Sequence, residues 1–101
     1  MKKAIITTLF LAFTLFSVHL KAKDFSADLF KAERLYANSN YDSAALIYQS
    51  IIDSGYQSPE LYYNLGNTYY KLNEVPSAIL YYEKALKLDP SDKNKIGRDN
   101  V

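Results

Sequence analysis

The stretch ELYYNLGNTYYKLN, Glu60 to Asn73, runs into EVPSAILYYEKALKLDP, Glu74 to Pro90. Tyr62, Leu65, Gly66 and Tyr69 recur at spacings of three and four, which places them on one face of a helix. Ser58 is a good N-cap, and Pro59 falls at the first helical position, where a missing N–H costs nothing. Asn73 and Glu74 read as a turn, with Pro76 in the first turn of a second helix. Ala78, Tyr82, Ala85 and Leu86 form the buried stripe of that helix. Asp89-Pro90 ends it, because the residue before a proline is pushed away from helical angles.

The same unit occurs earlier in the chain. AERLYANSNYDSAALIYQSII from Ala32 aligns without a gap on GNTYYKLNEVPSAILYYEKAL from Gly66, at an offset of 34 residues. Tyr36 matches Tyr70, Ser43 matches Ser77 and Ala44 matches Ala78. Leu46 matches Leu80 and Tyr48 matches Tyr82. In this first unit Phe25 to Ala37 and Tyr41 to Ser54 are the expected helices, with Gly55 as the C-terminal stop. No run alternates as a strand would. The expected fold is all-α: a helix-turn-helix solenoid of four antiparallel helices, one repeat over 23–58 and one over 59–92. SDKNKIGRDNV, which follows Pro90, starts as a third first-helix would, so 93–101 reads as the start of a third repeat or a frayed tail.

The chain has 101 residues, no cysteine and a formal net charge of +1. It can hold one small domain, and it has neither disulfide nor thiolate chemistry. Lys2, Lys3 and Lys21 lie in a stretch without acids; beyond it nine basic residues face eleven acidic ones. That balance excludes a nucleic-acid surface, which needs clustered Lys and Arg. MKKAIITTLFLAFTLFSVHLKA (1–22) has a basic start, an apolar run from Ala4 to Val18 and a small residue, Ala22, at a plausible cut. It reads as a secretory signal peptide, with a short uncleaved membrane anchor as the alternative. Either reading puts the rest of the chain in the periplasm or on the periplasmic face of the inner membrane.

Tyr62, Leu65-Gly66, Tyr69, Ala78, Tyr82, Ala85 and Pro90 resemble the signature of the tetratricopeptide repeat. The first unit keeps Ala44 and Tyr48 but has Ala32 for the Gly, Leu35 for the Tyr and Tyr56 for the Pro. Degenerate end units are expected in solenoids. The resemblance implies a non-catalytic scaffold that binds a protein or peptide in a concave groove lined by the first helices. With its signal segment, the chain is also similar to the BatE-type repeat proteins of aerotolerance operons, which implies an envelope assembly.

In each tyrosine pair, Tyr62-Tyr63 and Tyr69-Tyr70, the two side chains diverge by about 100°. Tyr62 and Tyr69 fall on the packing stripe. Tyr63 and Tyr70 share the adjacent face with Asn67, and the resemblance turns that face toward the groove, with Leu29, Glu33 and Tyr36 in the equivalent places. The alternative is that Tyr63 and Tyr70 pack on the neighbouring repeat. An acidic-aromatic groove of this kind suits a segment with apolar and basic character. Grooves that clamp a terminal carboxylate carry Lys and Asn where this chain has Leu29 and Glu33, so that mode is not expected.

Gly55, Gly66 and Gly97 are isolated, so no phosphate-cradling loop exists. The one histidine, His19, lies in the N-terminal segment, and Ser43 and Ser77 have no base to activate them. No catalytic residue, cofactor or metal site is expected, and contact with a membrane would run through the N-terminal segment or through sequence beyond Val101. Two repeats leave the outer face of the last helix apolar, which predicts a fragment of a longer protein or self-association as a spacer.

Overall fold

The computed structural model describes residues 23–92. The expected signal helix and the expected start of a third repeat lie outside the described residues. Four helices follow one another, α1 (Ser26–Ala37), α2 (Tyr41–Asp53), α3 (Pro59–Lys71) and α4 (Val75–Leu88), and the 3-10 turn Pro90–Asp92 closes the series. No strand occurs among the described residues. Each helix packs on the next in the chain.

The helix ends follow from local chemistry. Ser58 is extended (φ −154°, ψ 152°), and its hydroxyl accepts the Leu61 N–H at 3.0 Å, satisfying one of the free donors of α3. α1 begins one residue later than the periodicity predicts. Asp24 Oδ1 accepts both the backbone N–H and the hydroxyl of Ser26, at 2.9 and 2.6 Å. Those two bonds hold the exposed Asp24 carboxyl below its usual pKa. α2 ends at Asp53, and Gly55 turns the chain at φ 94°, a conformation open to glycine.

The turns within the two units are the same device used twice. Asn40 N donates to Leu35 O at 2.8 Å, and 34 residues on Glu74 N donates to Tyr69 O at 2.9 Å. Ser39 N donates to Tyr36 O, and Asn73 N to Tyr70 O. Both units thus close α-helix onto α-helix with a Schellman pattern, whose left-handed residue is Ser39 (φ 64°) in one and Asn73 (φ 61°) in the other. Asp89 at the end of α4 is extended, as a residue before proline must be.

Packing repeats as well. Ala32 and Ala44 are fully buried where α1 meets α2, and Gly66 and Ala78 take their places where α3 meets α4. A β-carbon on Gly66 would sit 2.6 Å from two ring atoms of Tyr82 and 3.3 Å from the Ala78 carbonyl oxygen. The larger core joins Ala32, Ala44, Tyr48 and Ile51 to Leu61 and Leu65, so α3 belongs to both units. Tyr62, Tyr63 and Ala85 form a second cluster between α3 and α4.

Two outcomes test this account. Gly66→Ala should lower stability in urea unfolding, because overpacking costs about 1–3 kcal/mol and alanine's helix propensity returns only about 1 kcal/mol. In a Tyr82→Ala background the same change should become neutral or stabilising; an equal loss in both backgrounds would rule out the ring contact as the cause. Ser39→Gly should raise stability by roughly 0.5–1 kcal/mol, since the left-handed conformation penalises an L side chain. Asn73→Gly should gain less, because asparagine tolerates that conformation; equal gains would count against the turn assignment.

Candidate protein-binding cleft

Between α1, α2 and the first turns of α3 lies a cleft of about 240 Å³, lined by Glu33, Tyr36, Tyr48, Glu60, Asn64 and Asn67. Glu60, Asn64 and Asn67 are spaced as i, i+4 and i+7, so a single stripe of α3 faces it. A smaller hollow beside it, about 170 Å³, extends the lining to Leu29 and Tyr56. Glu33, Tyr36 and Asn67, expected at the groove from the sequence, are brought together here, and Leu29 lies at its edge.

Tyr63 is placed elsewhere. Its ring is 4% exposed and packs against Tyr82 of α4 with centroids 6.1 Å apart. Tyr70 is 40% exposed on the same face of α3 but lines neither hollow. The cause is Tyr82, whose ring covers Gly66 and whose hydroxyl donates to Asn67 Oδ1 at 2.6 Å. α4 therefore occupies part of the face that sequence spacing left open, and the cleft lies on the stripe one position round. Glu60 and Asn64 were the residues that spacing missed as lining. Their only signal was the i, i+4, i+7 relation to Asn67.

Tyr48 also has two parts to play. Its ring belongs to the core, at 1% exposure, while its edge lines the cleft. Burial pushes its pKa up to about 12, and the negative charges of Glu33 and Glu60 and the nearby Tyr36 add to the rise. Tyr69 is raised as well, first by burial.

The remaining signature residues are structural. Ala44, Ala78 and Ala85 are buried at helix contacts, Leu65 is fully buried, and Pro90 is exposed at the start of the 3-10 turn. Tyr81 joins the units: it stacks between Tyr62 and Tyr69, with centroids 6.1 and 5.7 Å away, and donates its hydroxyl to Gln49 of α2 at 2.9 Å. Lys84 Nζ lies over the rings of Tyr81 and Tyr62, at 5.4 and 5.7 Å from their centroids.

Residues 59–92, which hold α3, α4 and the 3-10 turn, match the family model described as tetratricopeptide repeat. The second helix pair is thus similar to a tetratricopeptide repeat. No curated protein matches the chain. The matched span supports a tetratricopeptide repeat protein, and such repeats are non-catalytic modules that generally mediate contacts between proteins. Among the described residues, no helix is long and apolar enough to cross a membrane.

The cleft's electrostatics set an alkaline limit. A phenol whose folded pKa exceeds its unfolded value near 10 stabilises the fold below pH 10, and that contribution is lost as pH rises towards about 12. Absorbance titration at 295 nm should show a last tyrosine step near pH 12, absent in Tyr48→Phe, with helicity falling over the same interval. Complete ionisation by pH 10.5 with helicity intact would contradict the burial assigned to Tyr48.

Proposed function

We infer that this chain is an exported, non-catalytic scaffold whose repeats hold a protein or peptide segment in the cleft between α1 and α3. The observation that carries the reading is the convergence of polar side chains from two successive first-helices, Glu33 and Tyr36 on α1 with Glu60, Asn64 and Asn67 on α3, at one concave site. The tetratricopeptide repeat match over residues 59–92 supports a protein partner. A basic start and apolar run at 1–22 support export to the periplasm or to the periplasmic face of the inner membrane. The similarity of the repeats and signal segment to the BatE-type proteins of aerotolerance operons supports a place in a cell-envelope assembly.

A second reading has its own support. Val75, Ile79 and Leu80 are about half exposed on α4, and an apolar face of that kind suits self-association or a spacer within a membrane-associated protein.

Photocrosslinking in envelope fractions separates the two. A photoreactive residue in place of Asn64 should capture a discrete partner, and one in place of Leu46, 73% exposed on α2, should not. Capture of the chain's own copies alone, or equal capture from both positions, would remove the groove reading and leave self-association.

A further inference from the structure

We propose that the cleft between α1 and α3 receives one basic side chain, arginine or lysine, of the bound segment, held between the carboxylates of Glu33 and Glu60 over the hydroxyl of Tyr48. The proposal rests on the groove reading above and adds the chemistry that the groove selects.

The argument starts from the internal repeat. In the second unit the Tyr82 hydroxyl is anchored on Asn67, at 2.6 Å. Thirty-four residues earlier the same two positions hold Tyr48 and Glu33. The anchor is not reproduced there. What raises the Tyr48 pKa is burial and then the charges of Glu33, Tyr36 and Glu60, with no hydrogen bond among the causes. No fully buried side-chain oxygen or nitrogen lacks a partner among the described residues, so this hydroxyl, on a ring otherwise 1% exposed, opens on the cleft. The buried Tyr48 thus turns its hydroxyl to a cleft that Glu33 of α1 and Glu60 of α3 also line.

The lining chemistry then narrows the occupant. Among the described residues, no Lys or Arg lines either hollow. Among the described residues, no group of three or more acidic or histidine side chains could hold a metal ion. An organic cation is the occupant that this lining fits. An ammonium carries three donors and a guanidinium five, with no acceptors, which suits a site made of carboxylate and phenol oxygens. An acidic side chain would bring a third negative charge to a lining that already holds Glu33 and Glu60. At about 240 Å³ the cleft is smaller than the range for drug-sized ligands, and its scale is that of one side-chain end. Asn64 and Asn67 flank it on α3, where amides can meet the backbone of the segment carrying that side chain.

The test is selection of a random peptide library on the full chain, followed by binding of one selected peptide made synthetically. The selected pool should be enriched in Arg or Lys at one fixed position. That enrichment should vanish in selection on the Glu33→Gln, Glu60→Gln double variant and persist on Glu83→Gln, an exposed site on α4. Replacing the enriched basic residue by glutamine should weaken the synthetic peptide about tenfold, as loss of a charge-assisted hydrogen bond does. Circular dichroism should show unchanged helicity in both variants, since Glu33 and Glu60 are exposed. A pool selected without basic enrichment, or with the same enrichment on the double variant, overturns the cation assignment and leaves the groove as a peptide surface. Failure of the wild-type chain to select any peptide overturns both.

Discussion

The absence of a side chain at Gly66 is the constraint on which the rest of this structure depends. It lets the Tyr82 ring lie directly on the backbone of α3, at a spacing where even a methyl group would collide. With the ring seated there, its hydroxyl reaches Asn67, its face meets Tyr63, and α4 is locked at the angle that buries Ala78 and Ala85. Close approach of two helices at small residues is a packing solution with little tolerance, because protein interiors are filled to the density of organic crystals. In the first unit Ala32 and Ala44 occupy the equivalent positions, both fully buried.

That asymmetry between the units produces the cleft. Where glycine and asparagine occur in the second unit, the tyrosine of the partner helix is satisfied within its own pair. Where alanine and glutamate occur in the first, the equivalent tyrosine is more deeply buried and lines the cleft shared with the neighbouring unit. Glu60 and Asn64 of α3 then complete a polar site that no single repeat contains. The fold thus makes a binding surface by stacking two copies of one motif that differ at a few positions, with a core continuous from α1 to α3 through Ile51, Leu61 and Leu65.

Tyrosine carries much of both tasks. Tyr81 stacks on Tyr62 and Tyr69 within its own helix pair and reaches Gln49 of the first pair through its hydroxyl, so an aromatic ladder ends in one polar tip that ties the second pair to the first. Rings of this kind bury large areas with few rotatable bonds, and their hydroxyls tolerate partial wetting. The doubled spelling, YYNLGNTYY and LYYEK, therefore supplies packing on two adjacent faces of each helix.

The sequence by itself determined the helices, their order and their ends. Residue spacing of three and four, Ser58 and Pro59 at a start, Gly55 and Asp89-Pro90 at stops, and the offset of 34 are local or periodic signals, and the helices observed follow them to within a residue. It also put Gly66 on the packing face of α3 and Ala78, Tyr82 and Ala85 on the buried stripe of α4. Only the tertiary structure decided which stripe of α3 faces the cleft. Spacing put Tyr63, Asn67 and Tyr70 on one face, but the rotation of α3 is set by where the Tyr82 ring lands, and that depends on a side chain fifteen residues further on. The ring consumes Tyr63 and leaves Glu60, Asn64 and Asn67 toward α1. A helix face is a property of the sequence; its partner is a property of the packing around it.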